Sequence, residues 1–248
     1  MTRMQKHLVE WDTNLFNKNV FEIQNTEYFN KNELDDVDKS CYADNAFMSY
    51  IKLDNRDFEK IHYLEGLGFN YMESQYRLKK LLTKEYPSSS LSRHCLLQRL
   101  DYSDKKTINS IEEIITTTFD TDRYFLDPKL DKKYSGLRYK NWFLNSFQDK
   151  QYSTDVYISK KSGDVIGFQM VKEGTAETHL MLGGVSKKYK GYGFIVSLLA
   201  DYFNFSFSRG LKTVFSSISS HNLEVFNIYI YVGFSLIDEK IVMRKIYE

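Results

Sequence analysis

The sequence predicts an α+β (mixed α/β) fold, and three observations carry that prediction. Residues 153–186, STDVYISKKSGDVIGFQMVKEG followed by TAETHLMLGGVS, alternate apolar and polar positions around a turn at Ser162, Gly163 and Asp164, the pattern of a three-strand antiparallel meander. The chain from there to residue 247 reads strand, glycine loop, helix, strand, helix, strand. Residues 48–80, MSYIKLDNRDFEKIHYLEGLGFNYMESQYRLKK, repeat the end of that order: strand, Asn, helix, Gly-Phe, strand with a basic end.

A chain of 248 residues can form one large domain or two smaller ones, and two are expected. The segment 85–93, EYPSSSLSR, has one of only 2 prolines and a run of small polar residues, so it reads as a linker. The expected organisation is a non-catalytic unit at 1–85, a linker at 86–93 and a catalytic unit at 94–248. In the second unit, HCLLQRL reads as a strand. Ser103 or Asp104 then caps a helix whose apolar positions are Ile108, Ile111, Ile114 and Ile115. Pro128 and Gly136 are expected to interrupt any long helix before a short one around Trp142. The helix after the glycine loop stops at Gly210, the next stops at Gly233, and residues 234–247 form a final strand or hairpin.

Composition excludes several function classes. With 34 Lys and Arg against 33 Asp and Glu, the formal charge of +1 argues against a nucleic-acid partner. Cys41 and Cys95 lack metal-ligand or CxxC spacing, so no metal is expected and both read as buried thiols. No stretch approaches the ~18 apolar residues of a membrane span and the first residues lack a signal-peptide pattern, so a cytoplasmic protein without membrane contact is expected. Aromatic residues reach 16%, enough for an aromatic-rich core or for a pocket that stacks a planar ring.

The loop Lys190-Gly191-Tyr192-Gly193-Phe194-Ile195 joins a strand to a helix. A helix start leaves N–H groups unpaired and carries the positive end of the macrodipole, which together make an anion site. The loop has no GK[ST], and Val196 stands where a dinucleotide fingerprint needs its third glycine, so ATP and NAD are disfavoured. Further on, Asn222 and Tyr229 are seven residues apart, about two helical turns, and fall near one face.

These residues resemble the GCN5-related N-acetyltransferase family. Asn222, Tyr229, Gly233 and Phe234 match one of its patterns, while Lys190 and Gly193 match part of Q/R-x-x-G-x-G/A, with Ile195 where Gly or Ala is usual. The resemblance spans roughly residues 94–247. It implies a central, mostly antiparallel twisted sheet flanked by helices, preceded by a truncated domain of the same kind, and coenzyme A as cosubstrate. The loop 190–195 would hold its pyrophosphate, Asn222 would line the cofactor site, and Leu182, Gly183, Gly184 and Val185 would form a splayed strand edge for the pantetheine. Tyr229 would protonate the leaving thiolate. A backbone N–H near Leu182 or Gly183 would stabilise the oxyanion, and His179, with Glu177 second, is the candidate base.

In the first unit, Leu64 stands five residues before Phe69 where Tyr229 stands five before Phe234, and no glycine phosphate loop precedes it. EWDTNLFNKNVFEI, FDTDRYFLDP and KNWFLNSF resemble the two-part subgroup that contains TDP-fucosamine acetyltransferase. That resemblance implies a dTDP-linked 3-amino or 4-amino dideoxyhexose as acceptor, acetyl or 3-hydroxybutanoyl as acyl group, and a place in lipopolysaccharide or other surface-polysaccharide biosynthesis. Arg123, Tyr124, Asp127, Tyr134, Arg138, Tyr139 and Trp142 are the candidate acceptor residues. The alternatives are a peptide or protein amine as acceptor, or an acyl-CoA sensor without turnover. A homodimer is the base-rate oligomer.

Overall fold

The computed structural model describes residues 3–25 and 30–247; residues 1, 2, 26–29 and 248 of the two expected units lie outside the described residues. The first half runs β1 (Gln5–Leu8), α1 (Glu10–Phe16), β2 (Asn19–Gln24), α2 (Lys31–Ala43), β3 (Ala46–Asp54), α3 (Phe58–Gly66) and β4 (Asn70–Leu81). The second begins with β5 (Cys95–Arg99), α4 (Lys105–Thr118), α5 (Arg123–Leu126), α6 (Lys133–Asn145), β6 (Tyr152–Ser159), β7 (Val165–Glu173) and β8 (Glu177–Val185). It ends with α7 (Phe194–Ser208), β9 (Thr213–Ser219), α8 (Leu223–Tyr231) and β10 (Ser235–Ile246). The helix starts follow the sequence signals: Asp104 Oδ1 accepts from the Thr107 N–H at 3.1 Å, Asp57 Oδ1 from Lys60 N–H at 3.3 Å and Asn222 Oδ1 from Val225 N–H at 3.1 Å.

The ten strands among the described residues form one sheet, ordered β1-β2-β3-β10-β4-β9-β8-β7-β6-β5. Among the described residues β2–β3 and β8–β9 pair in parallel and the other strand contacts are antiparallel. The order interleaves the halves. β10, last in sequence, pairs with β3 and β4, while β4 pairs with β10 and with β9. The last strand of each half thus completes the sheet of the other. The final segment is one strand rather than a hairpin, because Lys240–Ile246 is held along β3 and Ser235–Arg244 along β4.

Gly136 does not interrupt a helix. It lies inside α6, where an added Cβ would stand 3.3 Å from the Thr116 Cα, so the missing side chain lets α6 approach α4 closely. Helices α4 and α6 cover one face of the second half through Ile111, Ile115, Phe143, Phe168, Met170 and Leu182. Helices α7 and α8 cover the other through Leu199, Tyr202, Phe203, Val171, Leu180 and Tyr229. Leu180 and Leu182, two apart on one strand, should share a face. They pack on opposite faces because the β7–β8 register shifts between Met170 and Val171, leaving Met181 as the extra residue of a bulge. No helix among the described residues is long and apolar enough to cross a membrane.

Candidate active site

β8 and β9 pair from Glu177 opposite Thr213 to Leu180 opposite Ser216, and no further. Beyond that point β8 stays with β7 as far as Val185, and β9 stays with β4 as far as Ser219. The sheet therefore opens in a wedge whose apex lies at Leu180 and Ser216, next to the Met181 bulge. A strand that has lost one neighbour turns alternate N–H and C=O groups into the gap. Gln169 secures the opened strand, since its Nε2 donates to Leu182 O at 3.2 Å and Met170 O at 3.0 Å. Gly183 leaves room for this arrangement, because a Cβ there would run into the Gln169 side-chain amide.

Three cavities meet along the wedge. The first, about 290 Å³, runs from Gly183, Gly184 and Val185 to Lys190, Gly191, Gly193, Phe194 and Ile195. The second is a throat of about 130 Å³ between Leu182, Gly183, Ser216, Ile218, Asn222 and Tyr229. The third, about 480 Å³, is walled by Tyr139 and Trp142 of α6, His179 and Met181 of β8, Phe215 of β9, and residues of the first half. Gly183 and Asn222 border both the groove and the throat. Tyr139, Met181 and Ser216–Ser219 border both the throat and the large cavity. The throat, bordered by Tyr229, thus shares walls with both the groove and the large cavity.

At the outer end of the groove, Gly191 and Gly193 have φ of +85° and +81°, in the left-handed region that favours glycine. Gly193 is the N-cap of α7 and supplies no side-chain cap, so the first N–H groups of the helix stay open. Lys190 reaches Glu224 at 2.9 Å and ties the loop to the start of α8. Ile195, where the family pattern has a small residue, packs against the core between α7 and α8. Tyr192 is 71% exposed and does not border the groove. Asn222 spends its side-chain oxygen on capping α8 while bordering groove and throat. An open helix start, a basic residue beside it and an unpaired strand edge fit a long, pyrophosphate-bearing thioester such as acyl-coenzyme A.

Tyr229 is 8% exposed and stacks on Phe234 with ring centroids 4.9 Å apart. Burial pushes its phenol above the ordinary value, with the Ser216 hydroxyl pulling the other way. It therefore keeps its proton at neutral pH and can donate it. His179 borders the large cavity, stacked on Phe215 at 5.1 Å and hydrogen-bonded to Glu177 Oε1 at 3.2 Å.

Of the candidate acceptor residues, the structure brings Arg123, Arg138, Tyr139 and Trp142 to the large cavity. The other three are engaged in packing: Tyr124 and Tyr134 against the first half, and Asp127 within the second. Tyr124 Oη donates to Asp12 at 2.6 Å, Asp127 is locked in a buried ion pair with Arg244, and Tyr134 packs on Phe16 at 4.7 Å. The physical reason is that the strand exchange carries β10, and with it Arg244, beneath the loop that bears Asp127. Arg138 is itself held by Asp12 at 2.7 Å. Sequence reasoning missed the walls contributed by the first half: Trp11, Tyr50, Lys52, Glu73, Gln75 and Arg77. Burial lowers the Lys52 ammonium from its ordinary value.

No protein-family model matches the chain. It is 23% identical over 195 residues, 77% of this chain and 67% of the relative, to the spore coat polysaccharide biosynthesis protein SpsD of Bacillus subtilis. It superposes on a GCN5-related N-acetyltransferase from Sphaerobacter thermophilus with a TM-score of 0.67 at 12% identity, over 97% of this chain and 76% of that one. A GCN5-related glucosamine N-acetyltransferase region of a fungal multi-domain β-N-acetylglucosaminidase gives 0.63 at 13% identity, over 98% of this chain and 31% of that one. The splayed parallel pair, the glycine-led helix and these likenesses agree: the chain has the GCN5-related N-acetyltransferase fold.

Proposed function

We propose that the protein is an acyl-CoA-dependent N-acyltransferase that transfers an acetyl or 3-hydroxybutanoyl group to the amine of a dTDP-linked 3-amino or 4-amino dideoxyhexose, in the assembly of a surface polysaccharide. The observation that carries the reading is the throat at Tyr229, which joins an anion-binding groove to a polar, aromatic cavity on the other side of the opened sheet. The sugar acceptor is supported by the polysaccharide-biosynthesis relative and by the enclosing aromatic walls Tyr139, Trp142 and Phe215.

Acyl-coenzyme A, when bound, supplies an activated thioester. The helix start at Gly193 and Lys190 holds its phosphates, and the free edge of β8 aligns its arm. Backbone N–H groups of β8 facing the wedge, near Leu182 or Gly183, stabilise negative charge on the thioester oxygen. The neutral amine enters from the large cavity, forming the C–N bond as the C–S bond breaks; Tyr229 gives its proton to the departing sulfur. The amine proton leaves through His179 or water to solvent. Neither cysteine takes part, since Cys41 and Cys95 are buried elsewhere.

Release of free thiol from acetyl-CoA and 3-hydroxybutanoyl-CoA, each offered with dTDP-linked 3-amino and 4-amino sugars, tests the reading. Turnover with one sugar is the expected result. Thiol release with peptide amines and with none of the sugars would overturn it.

A further inference from the structure

Strand β4 belongs in sequence to the half that lacks a glycine loop and a tyrosine, yet it forms a wall of the large cavity. Glu73, Gln75 and Arg77 all border that cavity. Their two-residue spacing places the three side chains on one face of the strand. Across the sheet Gln75 and Arg77 pair with Ser219 and Ser217 of β9, which border the same cavity.

The two ends of this row have unmet bonding capacity of opposite sign. Glu73 is 2% exposed, and its Oε1 accepts from Arg123 Nη1 at 2.7 Å. Its other oxygen, Oε2, is buried and has no hydrogen-bond partner among the described residues. A buried carboxylate oxygen left unpaired costs free energy unless a ligand supplies a donor. At the exposed end, Arg77 has no carboxylate within ion-pair distance among the described residues, whereas the cavity's Arg123 is paired with Glu73 and Arg138 with Asp12. Asp238, directly across from Arg77 on β10, lies 3.8 Å from Lys240 instead. The Arg77 guanidinium rests 5.2 Å above the Phe215 ring, which fixes its plane at the cavity wall.

We infer that β4 is the strand that reads the acceptor: Glu73 Oε2 accepts a hydrogen bond from the acceptor's amine, and Arg77 binds a phosphate carried by the same molecule. The inference rests on the N-acyltransferase reading and deepens it. The two residues are four positions apart, so their α-carbons are ~13 Å apart at the usual rise of a strand. Allowing for side-chain reach, that span fits an amino sugar joined to a diphosphate and exceeds what a free amino sugar can bridge. The acceptor site is then a joint property of both halves. A second-half domain without β4 would keep the thioester groove and lose acceptor recognition.

The test uses the full chain and two acceptors, a dTDP-linked amino sugar and the same amino sugar without the nucleotide, together with calorimetric binding of dTDP alone. Arg77→Gln is expected to weaken dTDP binding and to cut the preference for the nucleotide-linked acceptor by roughly 10- to 100-fold. Glu73→Gln is expected to raise KM for both acceptors by a common factor while KM for acyl-CoA stays at its wild-type value. Glu73→Asp, which keeps the ion pair with Arg123, should show the same split in milder form. An unchanged acceptor preference and unchanged dTDP affinity in Arg77→Gln would overturn the phosphate role. Parallel rises in the KM values for acceptor and acyl-CoA in both Glu73 variants would reduce Glu73 to a support for Arg123. If amino sugars turn over but neither variant discriminates, this inference fails and the acyltransferase reading stands. If Arg77 governs dTDP binding while no amino sugar is acylated, the acyltransferase reading and the role of Glu73 fail and only the phosphate role of Arg77 stands.

Discussion

The two halves of the sheet contain the same run, a strand, a helix ending at glycine and a further strand, and they differ at three places. In the first half, β2 and β3 stay paired from Asn19 opposite Ala46 to Ile23 opposite Ile51, and β2 ends one residue later. In the second, β8 continues five residues past its last pair with β9 and opens the wedge. The start of α2 is sealed, because Asn30 Oδ1 accepts from Asn32 N–H at 3.0 Å and Glu33 N–H at 3.3 Å. The start of α7 carries Gly193 and stays open. Leu64, 0% exposed, fills the first half's core at the position where Tyr229 borders the throat. A shared skeleton thus becomes a candidate active site where a strand overshoots, a helix start is left uncapped and a core leucine is replaced by a tyrosine.

The largest effect is expected from erasing the third difference. Tyr229→Phe keeps the ring and its stacking on Phe234 but removes the phenolic proton, and kcat should fall roughly 10²- to 10⁴-fold with little change in KM for acyl-CoA. Because burial raises the phenol, the wild-type rate should show no alkaline loss from this group below its ordinary pKa, and the profile should fall only above it. A wild-type kcat in the variant, with chemistry rate-limiting, would remove Tyr229 from the role of acid.

A smaller effect is expected from erasing the second. Gly193→Asn places at the helix start the residue type that seals α2, and asparagine tolerates a φ of +81° better than other side chains. Its side chain competes for the N–H groups that face the groove. KM for acyl-CoA should rise about tenfold, the worth of one or two hydrogen bonds to phosphate, with KM for the acceptor unchanged. Steady-state kinetics with each substrate varied in turn would check the split.

The sequence makes the open helix start and the tyrosine legible because each is local, whereas the overshoot of β8 is implied only by the family resemblance. A glycine before a helix, an asparagine seven residues before a tyrosine, and a Gly-Phe stop act within a turn or two of chain. The exchange of β4 and β10 has no such signature, since it joins residues as far apart as Ser49 and Lys245 through backbone bonds any strand can make. The first-half wall of the large cavity is hidden for a related reason. In YMESQYRLKK the alternation of Glu73, Gln75 and Arg77 reads as an ordinary solvent face, and only the sheet order turns that face into a cavity wall. Arg123 and Arg138 stand out because aromatic residues cluster around them, and Asp127 and Tyr134 by the same signal, although Tyr134 packs on Phe16 of the first half and Asp127 pairs with Arg244 on β10.

Two buried carboxylates, one in each half, also differ in how they are satisfied, and that difference sets the smallest expected effect. Asp12, in α1, is fully buried and fully met: one oxygen accepts from Tyr124 Oη at 2.6 Å and the other from Arg138 Nε at 2.7 Å. Asp155, in β6, is 2% exposed, and its Oδ2 has no partner among the described residues. Its Oδ1 lies 3.1 Å from Arg99, a cation shared with Glu173 at 3.1 Å. Burial outweighs that divided attraction and pushes the Asp155 carboxyl up to about 6. A carboxyl that holds its proton more tightly folded than unfolded contributes stability that is complete below its unfolded pKa and lost as the pH rises through about 6. The full difference from an ordinary aspartate corresponds to less than about 3 kcal/mol, and the half-open Arg99 side reduces the expected loss to about 1–2 kcal/mol. Asp155→Asn should remove this slope, leaving the variant more stable than wild type at pH 7 and close to it at pH 4. Denaturant midpoints measured across that range check the sign, and a wild-type stability that rises between pH 4 and 6 by way of Asp155 would mean that Arg99, not burial, governs the group.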